Sequence, residues 1–454
     1  MQTRLLSRRD SAWHPTAPFD VPAGEEYIGL QRDGDTLIGV LAVTPTAPAP
    51  IVVGAAASGD AQLLNAVAAA LTHHDAAPVA IDVVSHTMGC WGATPAARSY
   101  RGLLGGLHIA SHRSVHLVVR LRPAAFPAAV NARGGPGAGT LRTALWCLRR
   151  VRSRLSDAAV GTRPLTAAEI TELTARLTEG IDVRSLQTPG SSLVSYALPA
   201  PTPESLAALL AAPISADALS TTVTVSIAAG PSMRVTVRDN GGRAVDRTGE
   251  LGLMRLEAPP AAAIGLPVGL PPLRRRSPRI DAMVPRVGPA ETLPLLTLPI
   301  PIAGDGQLVG ADRSGRPVTL RLAGRDIPRC NVLGDRAVAQ QVVVRLAALG
   351  FAVDVASDDA QPWQRLADSV GVGLGSGGAP QRPVQVVVDD SDAGGVTAPP
   401  GATLIRIHRI DDPPSDTGPA LRRGPDETIL AEGAGRTVSI RPVSTDAERA
   451  LIET

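Results

Sequence analysis

The alternation of hydrophobic and polar positions is clearest in residues 79–177. Residues 79–84 form an apolar run that is interrupted at Asp82, and residues 114–121 alternate in the manner of a half-buried strand. Further along, Thr166 and Glu169 have the spacing of a helix capping box before an apolar segment. The stretch therefore predicts two strands, a long helix, a short strand and a second, capped helix.

The long helix is predicted to be amphipathic and to follow a glycine-rich turn. We expect its apolar side to pack on a sheet and its arginine side to be an interaction surface. The glycines are interpreted as a structural turn and not as a phosphate cradle, because residues 123–132 separate them from the preceding strand. The apolar positions are Leu141, Ala144, Leu145, Leu148, Val151 and Leu155, the arginines are Arg142, Arg149 and Arg150, and the glycines are Gly134, Gly135, Gly137 and Gly139.

The residues before this stretch predict a hairpin and a short helix. Residues 27–43 contain two apolar runs with a turn at Gly34, where a positive φ is favoured. Residues 51–53 are strand-like, and Asp60 is placed to cap an apolar helix over residues 61–72. Together with the strand that follows, this predicts a βαβ arrangement.

The composition changes in residues 258–290, which are rich in Pro, Gly and Arg. We interpret this segment as a linker or surface loop, in which Arg274, Arg275 and Arg276 form a second basic cluster. Each arginine cluster is either a solvated surface or a site for an acidic partner or anionic lipid. The predicted fold class is α/β, with mixed sheets and flanking helices, divided into a basic tail (1–18), an α/β core domain (19–257), the linker (258–290) and a Rossmann-like α/β domain (291–454).

The C-terminal domain is predicted to lack a phosphate-binding loop. Gly334 and Asp335 precede a helix predicted over residues 336–349, but this segment has neither multiple glycines nor a lysine. The glycine-rich residues 373–378 precede a strand and do not open a helix, as a dinucleotide fingerprint would. No nucleotide cofactor is therefore expected.

Two groups of residues raise the question of a metal. His108, His112 and His116 are spaced by four, but on a strand four residues span about 13 Å, so we interpret them as loop and strand positions. The acidic group is Asp389-Asp390-Ser391-Asp392, which follows a strand predicted over residues 384–388. An acidic turn is the favoured interpretation; the alternative is a metal-dependent, glycosyltransferase-like enzyme that binds a sugar nucleotide.

The amino-acid composition limits the classes of function that the protein can have. The formal net charge is +2 and aromatic residues make up 2% of the 454, so nucleic-acid binding is not expected. All 44 basic residues are Arg, which excludes a Schiff-base lysine and a P-loop lysine. Three widely spaced cysteines do not predict a disulfide framework. Without an apolar run that suits a signal peptide or a membrane span, the sequence by itself predicts a soluble, cytoplasmic protein.

Two blocks of short segments carry a family resemblance. The first contains VAIDVVSHTMG, RSYRGLLGG, HRSVHLVVRLRP, AAVNARGG, GTLRTALWCLRRVRSRL and TRPLTAAEI, and the second contains LPIPIAGDGQLVGADRSGRPVTLRL and AVAQQVVVRLAALGFAVDVAS. In this order the segments resemble EccE, a membrane-complex component of actinobacterial type VII (ESX) secretion systems. The resemblance runs in patches from about residue 20 to about residue 360 and is most specific between residues 79 and 170.

This resemblance implies a non-catalytic structural subunit. It implies assembly with EccB-, EccC- and EccD-like components in the inner membrane, an α/β domain on the cytoplasmic face, and neither a cofactor nor a small-molecule substrate. It brings no catalytic residues to carry over. The family has two N-terminal membrane-spanning helices, whereas this chain starts with MQTRLLSRRDSAWHP. Either the start is assigned too late, or this is a soluble variant that docks by protein contacts.

Overall fold

The computed structural model divides the chain into two compact units that interleave along the sequence. Unit 1 comprises residues 1–44, 59–86 and 114–302, and unit 2 comprises residues 45–58, 87–113 and 303–454. The residues that the structure describes are 17–53, 60–72, 75–90, 94–107, 109–178, 192–211, 218–241, 247–256, 284–375, 384–392, 395–409 and 418–453.

The predicted domain boundaries follow the order of the chain, whereas the two units do not. Residues 45–58 and 87–113 lie in the N-terminal half of the sequence but are part of unit 2. The predicted division of the chain into two domains at the linker concerns which segments fold independently, and it stays a prediction. Most of that linker, residues 257–283, lies outside the described residues.

Helices are interspersed among the strands of mixed sheets, and the α/β class is confirmed. The described helices are α1 Leu63–Ala70, α2 Pro95–Leu104, α3 Pro127–Ala132, α4 Ala138–Asp157, α5 Ala167–Thr178, α6 Pro203–Ala211, α7 Pro289–Leu295, α8 Arg336–Ala348, α9 Gln361–Val370 and α10 Asp446–Ile452. The described strands are β1 Phe19–Ala23, β2 Glu26–Asp33, β3 Thr36–Val43, β4 Ile51–Val52, β5 Asp60–Ala61, β6 Ala80–Met88, β7 His112–Leu121, β8 Thr162–Pro164, β9 Ser192–Leu198, β10 Ala218–Ala228, β11 Ser232–Gly241, β12 Met254–Arg255, β13 Ile300–Pro301, β14 Gln307–Ala311, β15 Pro317–Leu320, β16 Arg329–Leu333, β17 Val353–Ser357, β18 Gly373–Leu374, β19 Val386–Asp390, β20 Thr403–His408, β21 Ala420–Arg423, β22 Ile429–Gly433 and β23 Arg436–Ile440.

Unit 1 is built on a ten-stranded sheet with the order β1-β2-β3-β7-β6-β10-β11-β9-β12, in which β8 also pairs with β3. Side chains of β3 alternate between two hydrophobic cores, as the period of a strand requires. Leu37 and Leu41 lie in the core that contains residues of α1 and α4, whereas Ile38 and Val40 lie in the core that contains residues of α5. The sheet therefore has helices on both faces.

Helix α4 packs on the first of these faces and approaches the sheet closely at a glycine. A Cβ atom on Gly39 of β3 would lie 2.7 Å from Cδ1 of Leu148. Leu148 and Leu155 are fully buried in the same core as Leu41, and Leu141 is partly buried against it. The predicted apolar side of this helix thus packs on the sheet.

Local signals set the ends of several elements. The amide of Thr166 donates to Oε2 of Glu169 at 2.9 Å, and the amide of Glu169 donates to Oγ1 of Thr166 at 3.3 Å, so the capping box of α5 is confirmed. Thr202 caps α6 by accepting a hydrogen bond from the Ser205 amide at 3.2 Å. The predicted hairpin is β2-β3, with Gly34 at a φ of +59°.

Two predictions near the start of the chain are wrong. Helix α1 begins at Leu63 with Gln62 at the N-cap position, whereas Asp60 lies in β5, which pairs with β13. A distant strand pair therefore takes residues that local propensity gave to the helix. The βαβ arrangement fails for a similar reason, because β4 pairs antiparallel with β15 in a sheet that does not contain β6.

Unit 2 contains an eight-stranded sheet with the order β18-β17-β19-β20-β16-β21-β22-β23 and a three-stranded sheet, β14-β15-β4. The pairs from β18 to β21 are parallel, and β21-β22 and β22-β23 are antiparallel. The carboxyl ends of β16, β17, β19 and β20 therefore meet at one edge, which is the usual ligand-binding edge of such sheets.

A buried ion pair joins α8 to α10 in unit 2. Arg345 donates from Nε to Oε1 of Glu448 at 2.8 Å and from Nη2 to Oε2 at 2.9 Å. The guanidinium also donates to the carbonyl oxygens of Leu308 and Val443, each at 2.6 Å. The side chains of Arg345 and Glu448 are only 3% and 1% exposed. Loss of either partner would leave a buried charge without compensation.

We expect Glu448→Ala to lower the free energy of unfolding of the full chain by about 3 kcal/mol, because Arg345 would keep a buried charge. Urea unfolding measures this change. Asp446→Ala is the matched control on the same helix, since the pair of Asp446 with Arg449 is solvent-exposed and worth little. Equal unfolding midpoints for the two variants would show that the buried pair does not stabilise unit 2.

Candidate functional site

The glycine-rich turn before α4 adopts backbone angles that favour glycine. Gly134, Gly135 and Gly137 have φ values of +110°, +74° and +83°. Gly139 is limited by space instead, since a Cβ atom there would lie 2.2 Å from the carbonyl oxygen of Val130 in α3. Other residues at these four positions would strain the backbone or separate the two helices.

Three amides of this turn donate hydrogen bonds within it. The Gly135 amide donates to the Val130 carbonyl at 3.0 Å, and the Gly139 amide donates to the Gly135 carbonyl at 2.8 Å. The Gly134 amide donates to the Asn131 carbonyl at 3.2 Å. A phosphate cradle needs amides that point at the ligand, so the geometry favours a structural turn.

Two arginines tie the turn to α4. Arg142 donates from Nη1 to the carbonyl oxygen of Arg133 at 3.0 Å. The Arg133 guanidinium forms an ion pair with Asp75 and lies over the ring of Trp146, 4.8 Å from its centroid. Arg142 is therefore partly engaged in holding the turn, although it lies on the exposed side of the helix.

The remaining arginines on this side of α4 are less engaged. Arg149 and Arg154 are exposed and Arg150 is half-buried. These three guanidinium groups form no ion pair with any residue that the structure describes. The second predicted basic cluster, Arg274, Arg275 and Arg276, lies outside the described residues.

The described histidines of this part of the chain lie on the strands β6 and β7. His86 is buried in unit 1, with Nδ1 2.9 Å from Oγ1 of Thr222, and His116 is buried in β7. His112 packs edge-on against Phe351, and His108 lies outside the described residues. In the described ranges, no three or more His, Cys, Asp or Glu side chains are arranged to hold a metal ion.

The cysteines are poor candidates for a nucleophile. Cys90, Cys147 and Cys330 are buried free thiols. Burial raises the pKa of Cys90 to about 11 and the pKa of Cys147 to about 12. Because the thiolate is the reactive form, neither of these two groups is activated near neutral pH.

A cleft of about 870 Å³ lies in unit 2 at the carboxyl edge of the parallel strands. It is lined by residues that follow four different strands, including Asp335 after β16, Asp358 after β17, Asp392 after β19 and Arg409 after β20. Ligands of parallel α/β sheets bind at this edge. The acidic segment predicted at residues 389–392 thus lies where an enzyme of this class would have its active site.

The carboxylate of Asp390 is held by three donors. It accepts hydrogen bonds from Nε1 of Trp363 at 2.8 Å and from Oγ of Ser357 at 3.1 Å, and it lies 3.0 Å from Nε of Arg336. The side chain of Asp390 is only 7% exposed. All three contacts are made to Oδ2 of Asp390. A metal at Oδ2 would therefore have to displace the guanidinium of Arg336 and the indole N–H of Trp363.

The two neighbouring aspartates are directed to other partners. Asp389 is fully buried, and its Oδ1 accepts from the hydroxyl of Ser391 at 2.6 Å, while Oδ2 lies 3.9 Å from Nε of Arg406. Asp392 is mostly exposed and pairs with Arg409 at 2.8 Å. The three carboxylates that the sequence places together are therefore divided among separate contacts.

The amides at the start of α8 are capped by the carboxylate of Asp335. Oδ1 of Asp335 accepts hydrogen bonds from the amides of Ala337 at 2.9 Å and Val338 at 3.3 Å. A protein carboxylate thus occupies the amides that bind a phosphate in nucleotide-binding folds.

Sequence reasoning missed Trp363, Arg336 and Arg406, which surround the acidic segment. Each comes from a different element, so no local motif joins them to residues 389–392. The one available signal was that tryptophan is rare in this chain, with four in 454 residues. A buried Trp needs a partner for its N–H group.

Comparison with known families identifies one segment. Residues 109–198 match the EccE family, described as "Putative type VII ESX secretion system translocon, EccE". The matched 90 of 454 residues include β7, the glycine-rich turn, α4, α5 and β9. The resemblance read from the sequence is confirmed for this segment. Among curated proteins, none matches the chain.

No described helix has the length and apolar character of a membrane span. Each is too short or too polar to cross a bilayer. The longest, α4, has 20 residues but carries five arginines.

We expect Asp390→Asn to lower the free energy of unfolding by about 2 kcal/mol, because the charged acceptor of Trp363 and Arg336 is lost. Thermal or urea unfolding measures the change. Asp392→Asn is the matched control, since it removes a carboxylate two residues away whose pair with Arg409 is mostly exposed. If the control lost as much stability as Asp390→Asn, the contacts at Asp390 would not be the cause.

Proposed function

We propose that this protein is a non-catalytic structural subunit of a type VII (ESX) secretion complex. The observation that carries the proposal is the match of residues 109–198 to EccE, a translocon family. The match coincides with the part of unit 1 in which the glycine-rich turn directs α4. We infer a place in the membrane complex of an actinobacterial ESX system, with EccB-, EccC- and EccD-like subunits as partners.

The contacts in unit 2 support a role without catalysis. Asp390 is neutralised by Arg336, Asp392 is paired with Arg409, and Asp335 caps α8. The cleft therefore offers groups that already bind one another, where an active site would offer groups directed at a substrate.

The cytoplasmic face of the cell membrane is the location that we infer for the α/β structure. The match of residues 109–198 to a secretion translocon family supports this location. On this proposal the chain is held at the membrane by contacts with other subunits. The exposed side of α4, with Arg142, Arg149 and Arg150, is the surface that we assign to those contacts.

One observation keeps an enzymatic alternative open to test. Asp389 and Asp390 end the parallel strand β19 and Asp392 follows it, at the ligand-binding edge of the unit 2 sheet. The alternative function is that of a metal-dependent enzyme that binds a sugar nucleotide. It predicts that Mn²⁺ with a nucleotide sugar raises the melting temperature of the wild type, and that Asp390→Asn abolishes the rise.

The first prediction from the proposed function concerns assembly. Tagged protein expressed in its own host should co-purify from solubilised membranes with a complex that contains the secretion ATPase. Blue-native electrophoresis and mass spectrometry measure this association. A chain that is recovered entirely as a cytosolic monomer would contradict the proposal, and a rise in melting temperature with Mn²⁺ and a nucleotide sugar would favour the enzyme.

The second prediction concerns the arginine side of α4. Replacement of Arg142, Arg149 and Arg150 by Glu should reduce recovery of the complex at least tenfold, because repulsion would replace attraction at an acidic partner. Arg313→Glu is a control at an exposed arginine in unit 2 and should leave recovery unchanged. Because Arg142 also holds the glycine-rich turn, circular dichroism must show that the triple variant is folded. A folded variant that assembles normally would exclude this surface.

A further inference from the structure

A groove of about 700 Å³ lies in unit 1 beside α4. Apolar side chains form most of its lining, among them Leu71, Pro78, Val79 and Phe126. Leu71 and Pro78 are buried, whereas Phe126 and Val79 are half-buried and thus partly accessible from the groove. The groove therefore presents apolar surface that a partner side chain can cover.

The charged residues of the lining are two arginines of the same helix. Arg150 and Arg154 are one helical turn apart on α4, a spacing at which like charges repel. Neither forms an ion pair with a described residue. Asp75, which lies close in sequence to the lining residue Pro78, pairs with Arg133 instead. The described chain thus leaves two adjacent cations beside an apolar groove.

We propose that this groove binds an acidic amphipathic helix of a partner protein. An apolar side chain of that helix enters the groove, and carboxylates one turn apart contact Arg150 and Arg154. Helices bind apolar grooves through side chains at such spacing, and charge-assisted hydrogen bonds fix their orientation. The inference deepens the proposed function and rests on it only in taking the partner to be another subunit of the complex.

The shape and charge of the groove favour a peptide over a membrane surface. Juxtamembrane lipid recognition typically uses clusters of about four to eight basic residues on an exposed face. Here only two arginines line a concave, mainly apolar site. A carboxylate between Arg150 and Arg154 would also relieve the repulsion between them, which a single apolar ligand would not do.

Selection from a displayed library of randomised helical peptides on the immobilised full chain tests the proposal. We expect enrichment of peptides with two acidic residues four positions apart and an apolar residue on the same face. The double variant that carries Arg150→Glu and Arg154→Glu should bind the selected peptides at least tenfold more weakly, as measured by fluorescence anisotropy.

Two further variants separate charge from shape. Ala229→Trp adds bulk at an exposed position on the rim of the groove without a change of charge, and it should also weaken binding at least tenfold. Arg313→Glu makes the same change of charge at an exposed site in unit 2 and should leave binding unchanged. Circular dichroism and melting temperatures near the wild-type values would show that each variant is folded.

Several outcomes would overturn the proposal. These are no enrichment, enrichment of neutral or basic peptides, or equal binding to wild type and to the double arginine variant. Binding to phosphatidylglycerol vesicles that requires both arginines, without peptide binding, would assign the site to lipid instead. If both groove variants assembled with the secretion complex normally, the groove would be rejected as a binding site, but the proposed function would stand. If the chain were absent from any such complex, the proposed function would be rejected.

Discussion

The contact between the backbone of Gly139 and the carbonyl oxygen of Val130 is the constraint on which the arrangement around α4 depends. Any side chain at position 139 would collide with that oxygen, so α3 and α4 can approach this closely only with glycine there. The position of α4 then determines where its apolar side and its arginine side lie. Leu148 reaches the strand at Gly39, while the arginines point away from the core. One backbone contact therefore links the glycine-rich turn, the packing of the sheet and the charged surface.

Unit 2 has the outline of a ligand-binding α/β fold, but several of the polar groups at its carboxyl edge bind one another. Asp335 uses the free amides at the start of α8, and Asp390 accepts from Trp363 while Arg336 balances its charge. A ligand at this edge would first have to separate partners that lie within hydrogen-bonding distance, and a partly buried pair is costly to break. The architecture alone therefore says little about activity. Activity depends on whether the polar groups at this edge are directed at a ligand or are bound to one another.

Elements defined by short-range signals could be predicted from the sequence, and those defined by distant partners could not. The capping box of Thr166 and Glu169 and the hairpin at Gly34 depend on residues that are neighbours in the chain. Asp60 failed as a helix cap because its segment pairs with β13, near residue 300. The acidic segment at 389–392 was found, but not its arginine and tryptophan partners, because the sheet brings them together from separate elements.

The exclusive use of arginine gives both units a common chemical property. In the interior, Arg345 donates four hydrogen bonds, two to a carboxylate and two to carbonyl oxygens, which the five donors of a guanidinium allow and the three donors of an ammonium do not. On α4 the same group places two like charges, Arg150 and Arg154, one helical turn apart, where they repel each other. Ionic strength and a bound carboxylate are then the means by which that repulsion can be reduced. Binding at this surface should accordingly weaken as the ionic strength rises.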